Sequence, residues 1–185
     1  DVELECEICK GKRFKNEITS IKYNGVSIDM LLNMTVDDAI QFFRKYNQTK
    51  IVNKLLPLQS VGLGYVSLGQ SSNTLSGGEA QRIKLASYIG KGDQLDKTFF
   101  IFDEPTTGLH FHDVKKLLNT FNKLIRMGHS ILVIEHNLDM ISCADYVIDL
   151  GPEGGDKGGN IVAMGTPEDL IKSKESYTGK YLRKK

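Results

Sequence analysis

The sequence predicts an α/β protein with parallel strands, preceded by a small mixed α+β region. Three observations point there. Phe99-Phe100-Ile101-Phe102 and Ile131-Leu132-Val133-Ile134 are continuous apolar runs of strand length, each read as a buried strand. Between them, apolar positions 114, 117, 118, 121, 124 and 125 trace one face of a helix that Gly128 closes. Strand, crossover helix, strand is the pattern of a parallel sheet. The boundary is placed so that residues 1–90 form the first region and 91–185 the second.

Taken in order, residues 1–34 are mixed and turn-rich, and Asn24-Gly25 between residues 18–23 and 26–28 signals a β-hairpin. Thr35 is placed to cap a helix over residues 36–43, with Asp37 and Asp38 at its positive end. Residues 51–75 contain Pro57 and Gly62-Leu63-Gly64-Tyr65, which predict a loop-rich stretch. Ser76 and Glu79 fit a capping box, and apolar positions 83, 86 and 89 recur at helical spacing behind it. A polar loop over residues 90–97 leads into the first buried strand. After the second come a short helix through Met140, a third candidate strand over residues 146–150, a glycine-rich turn over 151–159 and an apolar stretch over 160–164. Pro167 is expected to begin a last helix over residues 167–173, and residues 180–185 read as a basic, mobile end.

At 185 residues and 40% apolar content, the chain can bury one ordinary core and part of a second. Its 24 basic and 23 acidic residues leave a net charge of +1, which demands neither nucleic acid nor a membrane nor an acidic partner. Three cysteines, two of them in Cys6-Glu7-Ile8-Cys9, suit a reducing, cytoplasmic setting with metal binding better than a disulfide framework. Cys143 falls on an apolar helical stretch and reads as a buried core cysteine. No apolar run approaches the roughly 20 residues that span a bilayer, so no membrane association is expected. The start has no signal-peptide pattern and no initiator methionine, which suggests a fragment or a processed chain.

The chemistry gathers at strand ends, where the loops of an α/β sheet converge on a crevice. Asp103 and Glu104 follow the first strand, so one carboxylate can engage Mg²⁺ while its neighbour polarises a water. His136 follows the second strand. Ser76-Gly77-Gly78 sets a hydroxyl and open backbone N–H groups at a helix start, which suits phosphate. Each feature alone has an ordinary structural explanation. Their order is what matters: Gly77 stands 26 residues before Asp103, and Asp103 stands 33 before His136.

On these residues the sequence resembles the ABC ATPase family. Leu75-Ser76-Gly77-Gly78-Glu79 is similar to its signature motif, and Phe99-Phe100-Ile101-Phe102-Asp103-Glu104 to its Walker B motif. Gly108-Leu109-His110 falls where its D-loop lies, and His136 matches its switch histidine. Within the family, the stretches 74–82, 103–110, 135–139, 149–156 and 176–182 resemble the branch that senses damage in bacterial nucleotide excision repair. The resemblance implies the C-terminal part of an ABC-type P-loop NTPase domain, with Asp103 holding Mg²⁺ through water, Glu104 as base and His136 on the γ-phosphate of ATP. It implies that Ser76, Gly77, Gly78 and Glu79 serve the opposite nucleotide, and that Leu109 and His110 line the cofactor site. The implied partners are damaged duplex DNA, UvrB and a second copy of the intact protein.

Two departures qualify this. No GxxxxGK[ST] phosphate-binding loop occurs in the sequence, so the chain is expected to be inactive alone. Cys6 and Cys9 supply only two of the four ligands that tetrahedral Zn²⁺ takes, and the resemblance implies another pair upstream. Two further readings stay open. Lys10, Lys12, Arg13, Lys15 and Lys22 near the cysteines could face DNA phosphates or simply form a solvated surface. A transporter's nucleotide-binding subunit would share the motifs, and the CxxC argues against it.

Overall fold

In the computed structural model of the chain, which describes residues 6, 7, 9–90, 96–153 and 158–185, the backbone divides into two units, Asp1–Asp96 and Lys97–Lys185. Parts of the predicted loop at 90–97 and of the glycine-rich turn at 151–159 lie outside the described residues.

In the first unit, Asn24 and Gly25 adopt φ of 49° and 84°, the left-handed pair that a two-residue hairpin turn requires. They join β1 (Lys22–Tyr23) to the antiparallel β2 (Val26–Ser27). The hairpin is shorter than expected. Residues 16–19 form α1 (Asn16–Thr19), where the Thr19 and Ser20 hydroxyls donate to the Asn16 and Glu17 carbonyls and favour a turn over an extended arm. Ile28 opens α2 (Ile28–Asn33). Thr35 caps α3 (Val36–Lys45) by accepting from the Asp38 amide at 3.1 Å.

The loop expected over residues 51–75 is largely α4 (Thr49–Ser60), which runs through Pro57. The missing N–H costs one bond, but the helix buries Val52 and packs Leu55, Leu56 and Leu58 against Val36, Ala39, Ile40 and Phe43, and that burial outweighs it. Gly62, at φ 79°, then ends the helix, with Gly62 N–H bonding the Gln59 carbonyl and Leu63 N–H the Leu58 carbonyl. A 3₁₀ turn at Ser72–Thr74 precedes α5 (Gly77–Ile89). Its inner face carries Gly78, Arg82, Leu85 and Ala86, so Ala86 lies inward as expected whereas Ile83 and Ile89 are only half-buried. Arg82, 1% exposed, takes the inward place because its long stem packs like an apolar chain while its head reaches Tyr65.

In the second unit, β3 (Phe99–Asp103) and β4 (Ser130–Ile134) pair in parallel from Phe99 with Ser130 to Asp103 with Ile134, joined by α6 (Phe111–Arg126). The expectation of strands buried on both faces fails. Phe100 and Phe102 point inward, and the Phe102 ring stacks on Phe121 of α6 at 4.9 Å. Phe99 and Ile101, on the other face, are 61% and 60% exposed, with Leu132 and Ile134 beside them. One helix layer covers one face, so the alternation of a half-covered sheet appears within an uninterrupted apolar run.

After α7 (Leu138–Ile141), β5 (Val147–Gly151) pairs antiparallel with β6 (Asn160–Gly165). Cys143 lies beyond the end of α7 and is exposed, not buried, because the helix stops before its position could turn inward. Pro167 opens α8 (Pro167–Lys172) behind a Thr166–Asp169 capping box. It is not the last helix. α9 (Tyr177–Leu182) follows, and the end expected to be mobile is pinned: Ser176 Oγ donates to Asp149 at 2.6 Å and accepts from Gly179 N–H at 2.7 Å. Thr178 Oγ1 donates to the other Asp149 oxygen at 2.8 Å, and Lys185 pairs with Asp139.

Candidate functional site

Parallel pairing brings the ends of β3 and β4 to one edge of the sheet, and the polar residues there follow from it. Beyond Asp103, the Glu104 amide donates to the Ile134 carbonyl at 2.9 Å, one step past the last ladder pair. Glu104 sits at φ 45°, in the left-handed region that costs a non-glycine residue about 1–2 kcal/mol. Backbone strain of this kind collects at functional sites. Two turns follow, closed by Thr107 N–H to Glu104 O at 3.1 Å and Leu109 N–H to Thr106 O at 2.9 Å, with Gly108 at φ 75°.

The strained turn sets Glu104 Oε1 3.8 Å from His136 Nδ1. At that distance the two are apposed rather than hydrogen-bonded, and at 55% and 81% exposure both side chains stand open to a ligand. Asp103 is exposed next to them. A carboxylate apposed to an imidazole, with a second carboxylate adjacent in the chain, offers oxygen donors for a divalent cation and a base near a reacting water.

Glu135, given no role from the sequence, is the hub of this edge. Its Oε1 accepts from Thr106 N–H at 2.9 Å and from the Thr106 hydroxyl. Its Oε2 accepts from the amides of His136 and Asn137 at 3.0 and 3.1 Å. Asn137 in turn caps α7 through the Asp139 and Met140 amides. The only sequence signal was an acid directly before the histidine; Thr106 lies 29 residues away.

The signature-like segment belongs to the first unit. Ser76 and Glu79 form the expected capping box, Ser76 N–H donating to Glu79 Oε2 at 2.8 Å and Glu79 N–H to Ser76 Oγ at 3.3 Å. Gly77 is exposed and Gly78 buried. Tyr65, which the sequence did not flag, donates from its hydroxyl to Glu79 Oε1 at 2.6 Å. That bond, with the Ser76 amide next, holds the Glu79 carboxyl below its ordinary value, while partial burial first and Glu79 second push the Tyr65 phenol up. Leu109 is half-buried, and His110 stands exposed as the N-cap of α6 with its ring 5.7 Å from that of His112.

Cys6 is exposed and Cys9 half-buried, with Lys10 N–H donating to Cys6 O at 2.8 Å and Lys12 N–H to Cys9 O at 2.9 Å. Among the described residues no group of three or more His, Cys, Asp or Glu is placed to hold a metal ion. Arg13, one of the basic residues nearby, donates to the Gly69 carbonyl and so helps hold this stretch.

No protein-family model matches the chain. Curated relatives do. The chain is 58% identical over 184 residues to the UvrABC system protein A of Clostridium perfringens, covering 100% of this chain and 19% of that protein. It is 57% identical over 183 residues to the protein of that name in Rickettsia typhi, covering 99% and 19%. Among solved structures, the crystal structure of UvrA2 from Deinococcus radiodurans matches 97% of this chain and 22% of its own at a TM-score of 0.81 and 40% identity. The chain thus spans about a fifth of the length of these relatives, and over that stretch, by sequence and by fold alike, it belongs to the UvrA family.

Proposed function

We propose that the chain is part of a DNA-damage-recognition ATPase of nucleotide excision repair, with residues 91–185 forming half of an ATP-binding domain and residues 1–90 a signature-bearing insertion. The observation that carries this is the approach of His136 to Glu104 at the end of a parallel strand pair, at 3.8 Å. Glu104 acts as base: it takes a proton from water as the water oxygen bonds the γ-phosphorus of ATP and the bond to the β–γ bridging oxygen breaks, releasing ADP and phosphate. His136 donates to a γ-phosphate oxygen and orients it. Asp103 holds Mg²⁺ through water, and the ion when bound neutralises phosphate charge. Ser76, Gly77 and Gly78, at the head of α5, serve a second nucleotide, with Glu79 fixing the serine. Leu109 and His110 contribute to nucleotide binding from the turn after β3.

Cys6 and Cys9 act as half of a zinc site, completed by ligands from elsewhere in the protein. The name of the relatives, UvrABC system protein A, supports damaged DNA and UvrB as partners, and the family resemblance implies a second copy of the intact protein. The Cys6-Glu7-Ile8-Cys9 pair supports a cytoplasmic location, which suits a CxxC that binds metal. Among the described residues no helix is long and apolar enough to cross a membrane.

The test is Glu104→Gln in the complete UvrA-type protein carrying this sequence. Nucleotide binding is expected to persist and turnover to vanish; persistent turnover would show that Glu104 is not the base. The 185-residue chain given Mg-ATP is expected to show no turnover above background.

A further inference from the structure

We propose that Glu135 is the positioning residue of the hydrolytic site, tying the loop after β3 to the loop after β4 and so setting how closely His136 approaches Glu104. The inference rests on the reading of Asp103, Glu104 and His136 given above. A carboxylate offers about four lone-pair sites. Here two are filled from Thr106, by its amide and hydroxyl, and two from the His136 and Asn137 amides. With its acceptor sites filled from these two loops, Glu135 works through its neighbours and does not handle substrate. Hydrogen bonds to an ionised acceptor are roughly twice as strong as neutral ones, which suits a group that must hold two loops in register.

The consequence falls on the two reacting side chains. Glu104 lies two residues before Thr106 and is held left-handed at φ 45°, a conformation that relaxes unless its surroundings impose it. His136 directly follows the hub. Fixing Thr106 on one side and the His136 amide on the other therefore fixes both ends of the 3.8 Å approach. Glutamine at position 135 would keep one accepting oxygen and turn an NH₂ toward the other pair of donors, so it would retain one loop and release the other. Alanine would release both.

Glu135→Ala and Glu135→Gln are to be made in the complete protein, beside wild type and Glu104→Gln. Displacement on the order of 1 Å costs about 10²-fold in rate. Glu135→Ala is therefore expected to lower kcat by about 10²-fold with KM for ATP nearly unchanged, and Glu135→Gln to fall between it and wild type. In the 185-residue chain, amide exchange at Thr106, His136 and Asn137 is expected to speed up in Glu135→Ala while that of Ile101 and Phe102 in β3 does not. Unchanged exchange at the three amides, an equal rise throughout β3, or an unchanged kcat would each overturn the proposal. If Glu104→Gln hydrolyses ATP like wild type, the hydrolytic reading fails by itself, and the tie made by Glu135 is then judged on the exchange rates.

Discussion

Replacing Gly179 by alanine should destabilise the second unit, although the same change inside a helix usually gains about 1 kcal/mol. A Cβ built on Gly179 would lie 1.9 Å from the Leu170 carbonyl oxygen and 2.6 Å from its carbon, with Ser176 Oγ at 3.1 Å. The first two are backbone atoms of α8, so no side-chain rotation relieves the clash and α9 has to back away. Backing away pulls on Ser176 and Thr178, whose hydroxyls bond Asp149 at 2.6 and 2.8 Å. Overpacking costs about 1–3 kcal/mol, and weakening one bond to a charged group about 1.5–3 kcal/mol. Less the propensity gain, the net loss is about 1.5–5 kcal/mol. In a unit of this size that lowers the unfolding midpoint by on the order of 10 °C or more. The assay is urea and thermal unfolding by far-UV circular dichroism, with Gly77→Ala as control, since nothing lies within 4 Å of a Cβ there. A Gly179→Ala chain as stable as wild type, or more so, would refute the close-packing argument.

Glu79 gives a pH test: its folded carboxyl is held below the ordinary value by Tyr65 and the Ser76 amide, so its contribution to α5 is present above the unfolded pKa and is lost as pH falls through the folded one. Acid titration of helicity is expected to show this loss in wild type and to miss it in Glu79→Gln; identical curves would reject it. For zinc, metal analysis of the dialysed 185-residue chain is expected to find far less than one ion per chain, because two thiols complete only half a tetrahedron. Stoichiometric retention would mean that Cys6 and Cys9 find further ligands within the chain.

What the sequence made legible is what local patterns encode. The crossover of β3, α6 and β4, the Asn24-Gly25 hairpin and the Thr35 and Ser76 caps are written in adjacent residues. The nearness of Glu104 and His136 could be read from order alone, because parallel strands bring their C-terminal ends together. What stayed hidden depends on partners distant in the chain. Pro57 argues for a break, and only the packing of α4 on α3 overrides it. Glu135 looks like one more loop acid until Thr106 arrives from 29 residues away, and Tyr65 like one more surface phenol until Glu79 turns toward it. The exposure of Phe99 and Ile101 is equally hidden, because an apolar run tells what a strand tolerates, not how many layers cover it.

That bare face divides the strand positions by the work they do. Phe100 and Phe102 answer to the helix beneath them, so polar replacements there should unfold the unit. Phe99, Ile101, Leu132 and Ile134 stand exposed among the described residues, and folding would survive lysine or serine in their place. Whatever keeps those four greasy acts outside the contacts that make this piece fold, and a mutational scan scored for folding alone would pass over them.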